Sequence, residues 1–195
     1  MNDLIKPWRG PSDHLTPSGA LLVCHWPSEG AYAYLHELYP PGTRADSELV
    51  QRQFEFQLPR SYLSLLRKHN GARFFLGAVS VSGVVANLVR SPHPDQAQPG
   101  LLFDGLEIFR AMFPERWDAG WRRIGGVTVN QQWSIELNQR GAVTVVQDGK
   151  GGPVFSDIWQ CLARMMQLLT PSFHSEGTQV DSWDDIDKRL ELGLS

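Results

Sequence analysis

The sequence predicts an α+β domain: a bent antiparallel sheet flanked by helices, with N- and C-terminal extensions. Three observations predict it. Val127, Val129, Trp133, Ile135 and Leu137, and then Val143 and Val145, alternate with polar neighbours, the period-2 signature of strands with one buried face. Asn138-Gln139-Arg140-Gly141 sits between the two runs as a hairpin turn, with Gly141 available for positive φ. After them Ile158, Leu162, Met165, Met166 and Leu169 fall at helical spacing and form one broad apolar face.

From the N-terminus, residues 1–30 are rich in Pro, Gly and Ser and read as an irregular arm, with Ala20 to Trp26 as a short strand. Gly30 to Gly42 reads as a short helix ended by Pro40-Pro41. A second helix follows, capped by Asp46 or Ser47, with Glu48 in its first turn near the positive end of the dipole. Pro59 breaks the chain, because its ring disfavours helical geometry in Leu58. It then opens the next helix, where its missing N–H costs nothing. Tyr62, Leu65, Leu66 and His69 form the buried stripe of that helix, and Asn70-Gly71 ends it with residues that tolerate the left-handed conformation. Phe74, Phe75, Leu76, Val79 and Val81 read as two strands with a turn near Gly77. Val89 to Gly100 is a proline-rich loop, and a helix is expected from Leu106 to Phe113. Ser156 is expected to cap the helix that ends before Pro171, and a short acidic helix is expected at the C-terminus, either exposed or packed back by Trp183, Ile186 and Leu190.

Composition narrows the function classes. The 195 residues are 42% hydrophobic and 20% charged, as in an ordinary globular domain. No apolar run approaches the roughly 20 residues that span a bilayer. The N-terminus has no apolar signal-peptide core, and Cys24 and Cys161 show no metal or redox spacing, so a cytoplasmic protein with no membrane contact is expected. The net charge of −3 argues against direct nucleic-acid binding. It is unevenly spread: residues 51–80 hold five bases against one acid, and residues 171–195 hold six acids against two bases.

The search for chemistry finds no reaction centre. His14, His25, His36, His69, His93 and His174 form no i, i+4 pair and have no cysteine at zinc spacing. His69 reads as a packed histidine. Cys24 and His25 are neighbours on a strand and so point to opposite faces. His93-Pro94-Asp95 matches a chaperone-loop string without the helical hairpin that string needs, and the glycines from Asp148 to Pro153 read as a turn. No catalytic residue, metal or cofactor is expected, and the chain reads as no enzyme.

The order of helix, "LP" plus a helix ending in "NG", strands, and a closing amphipathic helix resembles the SUKH superfamily. That superfamily includes fungal cell-wall assembly regulators and bacterial toxin-immunity proteins. The resemblance is carried by Leu58, Pro59, Tyr62, Leu65, Leu66, Asn70 and Gly71, then by Gly83, Ile124-Gly125, Trp133, Ile135, Leu137, Gly141, Val143 and the helix up to Leu169. It implies one α+β domain over residues 46–170, with an insertion at 87–118, an N-terminal extension (1–45) and an acidic C-terminal extension (171–195). It also implies a scaffold role for Leu58, Pro59, Tyr62, Asn70, Gly71, Gly125 and Trp133, and a non-catalytic protein that binds a toxin of the nuclease or deaminase class. The alternative is a regulatory or scaffold domain that docks a cellular protein. Partner contacts are expected at Asp181, Trp183, Asp184, Asp185 and Asp187, acids around an aromatic anchor that suit a basic surface. Monomer and homodimer both remain open, since a bare edge strand can pair two copies.

Overall fold

The computed structural model describes residues 1–85, 93, 97–99, 102–129, 132–147 and 150–194. Among these residues nine strands form a single antiparallel sheet whose spatial order is the order of the sequence. They are β1 (His14–Leu15), β2 (Leu21–His25), β3 (Tyr34–Leu38), β4 (Ala72–Phe74), β5 (Val79–Val81), β6 (Trp121–Thr128), β7 (Gln132–Asn138), β8 (Val143–Gln147) and β9 (Lys150–Phe155). The α-helices among the same residues are α1 (Asn2–Ile5), α2 (Arg44–Phe54), α3 (Arg60–Lys68), α4 (Leu102–Met112), α5 (Pro114–Asp118), α6 (Ile158–Leu169) and α7 (Trp183–Leu194). This is the α+β class that the sequence predicts.

The register explains which side chains meet. Val23, His36, Phe74, Val79, Val127 and Trp133 line up across six strands, all of them buried. One residue along, the row on the opposite face runs Leu22, Glu37, Arg73, Ser80, Gly126, Ser134, Val146 and Gly151. Side chains alternate between the faces of a strand, so the first row joins the core and the second is mixed in character. Register shifts at Arg123/Gly125 and Thr144/Val146 bend the sheet. α6 lies against β8, β9, α3 and α7, and it buries Ile158, Cys161, Leu162, Met165, Met166, Leu168 and Leu169.

Several elements differ from expectation. Gly30 to Gly42 holds a strand, β3, and no helix. Leu35, His36 and Leu38 are all fully buried. With both faces covered, the strand loses its period-2 signature, and Leu35 and Leu38 fall at a spacing that mimics a helix. Residues 1–30 are no irregular arm: besides the expected strand, β2, they supply β1 to the common sheet and bury Ile5, Trp8 and Val23 in the main core. The cap of α2 is Thr43. Its hydroxyl accepts from Asp46 N at 3.1 Å while the Asp46 carboxylate accepts from Thr43 N at 2.7 Å, a reciprocal capping box. In α6 the cap is Asp157, one residue after the expected serine, and it accepts from Gln160 N at 3.0 Å. The helix expected from Leu106 begins at Leu102, and a short second helix opens at Pro114. Most of the proline-rich loop from Val89 to Gly100, Pro94 and Asp95 of the chaperone-like string, and Asp148 and Gly149 lie outside the described residues. Of the two readings of the C-terminal helix, the one that packs back holds: Ile186 and Leu190, with Leu194, join the core.

Candidate functional site

The residues that carry the family resemblance meet in one framework. Pro59 is the N-cap of α3, and its carbonyl accepts from Leu63 N at 2.9 Å. Tyr62, Leu65 and Leu66 bury one side of that helix, and the ring of Tyr62 stacks on Phe54 of α2 at 5.9 Å. His69 leaves the helix in extended geometry and its Nδ1 lies 3.3 Å from the carbonyl of Tyr39. Burial holds the imidazole below its ordinary pKa.

Asn70 does more than end a helix. Its side chain donates to Val84 O at 2.7 Å and accepts from Val84 N at 2.8 Å, so the amide imitates one rung of a strand ladder across 14 residues. The left-handed residue is Gly71, at φ +93°. A Cβ there would come within 2.8 Å of Val81 O, and one on Gly83 would come within 2.2 Å of Asn70 O. Gly125 faces Ser80 O equally closely. Three glycines and one amide thus let the end of α3, the end of β5 and the middle of β6 approach more closely than side chains permit. Gly141, at φ +92° in the β7–β8 turn, packs against Pro59, which connects the two halves of the motif.

The acids at the C-terminal end are placed in different ways. Asp181 accepts from Ser172 Oγ at 2.9 Å and Arg189 Nη2 at 2.6 Å, and these bonds hold its carboxyl below the usual carboxylate range. Asp185 takes a hydrogen bond from Ser182 Oγ at 2.6 Å and donates its own N–H back to that hydroxyl at 3.2 Å, capping α7. Asp184 and Asp185 are exposed, Asp187 is buried, and half-buried Trp183 meets the ring of Phe173 edge-on at 6.3 Å. The surface formed here is led by Asp184 and Asp185, with Glu176 exposed in the preceding link.

The histidines are dispersed. His25 Nε2 lies 3.0 Å from Ala31 O, His93 packs on Tyr32, and His174 is exposed. His36 is the exceptional one. It is fully buried among Trp8, Phe75 and Phe74 at ring separations of 4.7, 4.9 and 5.8 Å. Neither ring nitrogen has a hydrogen-bond partner, and burial lowers its pKa to about 3. Cys161 is shifted the other way, its thiol raised to about 12 by burial. Among the described residues no cluster of His, Cys, Asp or Glu is disposed to hold a metal ion.

Sequence reasoning missed two charged residues that organise the sheet. Arg122 is 4% exposed and makes three hydrogen bonds to carbonyls: Nε to Phe54 O (2.9 Å), Nη1 to Trp117 O (2.9 Å) and Nη1 to Trp121 O (2.8 Å). Its guanidinium lies 3.5 Å from the centre of the Trp117 ring and 3.7 Å from Glu55. Glu136, 1% exposed, accepts from Arg116 Nε at 2.6 Å and from Ser134 Oγ at 2.7 Å. In "WRRIGG" nothing marks which arginine turns inward; the bulge after Arg123 decides it. No family model matches the chain, and neither the curated proteins nor the solved structures contain a match to it.

Proposed function

We propose that this chain is a non-catalytic binding protein of the immunity type, which neutralises a cognate toxin of the nuclease or deaminase class by direct binding in the cytoplasm. The observation that carries the reading is the set Leu58, Pro59, Tyr62, Asn70, Gly71, Gly125 and Trp133. In sequence these residues resemble the SUKH pattern, and Pro59, Tyr62, Asn70, Gly71 and Gly125 are used in space to cap, pack and bring backbones together. The titratable groups add support. His36, Tyr62 and Cys161 are all shifted by burial toward their neutral forms, whereas a nucleophilic thiol needs its pKa lowered. The partner surface assigned to the toxin is the acidic one at the start of α7, where Asp184 and Asp185 follow Trp183. Exposed acids of this kind speed encounter with a basic surface, and a half-buried tryptophan supplies apolar contact area.

The test is co-expression with the variable C-terminal domain of a large secreted protein encoded directly upstream. Growth restored by this chain supports the reading; equal killing with and without it sinks it. Replacing Trp183, Asp184 and Asp185 by alanine together is expected to weaken toxin capture at least tenfold, while thermal unfolding remains a single transition.

A further inference from the structure

Sheet proteins pair most readily through bare edge strands, and here both edges are blunted. β1 is two residues long, and β9 carries Pro153, which has no N–H to donate, after Gly151 and Gly152. An apolar surface for a partner lies instead on α4. Leu102, Leu106 and Phe109 turn one side of that helix into the core. Ile108 and Met112, one helical turn apart on the solvent side, stand 54% and 64% exposed, and Ala111 is exposed beside them. Among the described residues no other helix exposes two large apolar side chains on one face.

Two flanks border this stripe. Gly105 and Met112 share one of them, and a Cβ on Gly105 would meet nothing within 4 Å, so the space beside it is open. Glu107 and Arg110, three residues apart and both exposed, share the other. The Arg110 guanidinium rests 4.9 Å from the centre of the Trp117 ring and 3.6 Å from Glu55. In an antiparallel two-fold pair of helices each flank meets the same flank of the partner. Gly105 and Met112 are centred at the same height of the helix as Glu107 and Arg110, midway between Ile108 and Phe109. One axis at that height therefore seats Met112 in the open space at Gly105 and sets Glu107 against Arg110, each contact made twice.

We infer that α4 is a self-association surface: it packs antiparallel on the α4 of a second copy, with Ile108 at the two-fold axis, Met112 over the partner's Gly105 and Glu107 paired with the partner's Arg110. A helix of 11 residues offers less than the roughly 800 Å² per partner of a standard interface, so the pair is weak and reversible. α4 packs on β6 and α5, whereas α7 packs on α6, so failure here leaves the reading of the acidic surface untouched.

Sedimentation velocity of the full chain is the test. Between about 5 μM and about 1 mM it is expected to show a monomer–dimer equilibrium with a Kd on the order of 0.1 mM. Ile108→Glu is expected to stay monomeric throughout, with an unchanged thermal midpoint. Glu107→Arg leaves only bases on the charged flank and Arg110→Glu only acids, so each variant alone is expected to associate at least about tenfold more weakly. An equimolar mixture of the two restores both ion pairs and is expected to dimerise as the native chain does. The inference is overturned if the native chain is still monomeric at about 1 mM. It is also overturned if Ile108→Glu associates as the native chain does, or if the mixture associates no more tightly than its two components apart.

Discussion

His36 places a pH-dependent weakness inside the core. Its pKa is about 3 in the folded chain, whereas in the unfolded chain it returns to about 6.5. Between those values only the unfolded chain takes up the proton, so folding weakens as the pH falls through 6.5 towards 3, by about 1.4 kcal/mol per pH unit at most. Chemical denaturation at pH 7.5, 5.5 and 4.5 is expected to show this loss, and His36→Leu is expected to flatten it. A native chain as acid-sensitive as the variant excludes His36 as the cause. The two cysteines follow the same physics. Burial raises both thiols, Cys161 to about 12, so the reactive thiolate is scarce. A thiol reagent at pH 8 is expected to label neither in the native chain within minutes and both in denaturant; rapid native labelling of Cys161 contradicts its burial.

Among the elements, the junction between α3 and β4 depends on an amide. Asn70→Ala removes both partners of Val84, leaving a buried donor and acceptor unmet, and is expected to cost about 2–3 kcal/mol. Asn70→Asp keeps the acceptor alone and is expected to recover only part of it. Arg122 ties the end of α2 to α5 and β6. Arg122→Ala strands three carbonyls and opens space beside Trp117, and is expected to cost about 3 kcal/mol or more in urea unfolding. These junctions also show where sequence reading succeeds. β6, β7 and β8 were legible because apolar residues alternate there, and α6 because its apolar face keeps helical spacing. β3 was not, because burial on both faces erases alternation. The motif glycines were legible as residue types, but the approach distances that require glycine at 83 and 125 depend on strands far apart in sequence. That Trp133 and the last turn of α7 line one cleft was invisible for the same reason: Glu191 and Leu194 come from some 60 residues away.

At the scale of the whole molecule, charge and connectivity carry the consequences. A partner held by Asp184, Asp185 and Glu176 is held by exposed charges, which salt screens over about 10 Å at 0.1 M. Its association rate is expected to fall several-fold between 50 and 300 mM NaCl with little change in dissociation; the reverse pattern places the energy in buried contacts instead. Removing residues 1–38 strips three strands and bares the edge of β4 with Phe74 beside it, so the remainder is expected to aggregate rather than unfold cooperatively. The sequential order of the strands has one more effect. A chain leaving the ribosome presents β1 first, and every later strand finds its neighbour already synthesised. The sheet can therefore grow as fast as translation delivers it, with α7, which follows all of these strands, closing the end that contains Trp133.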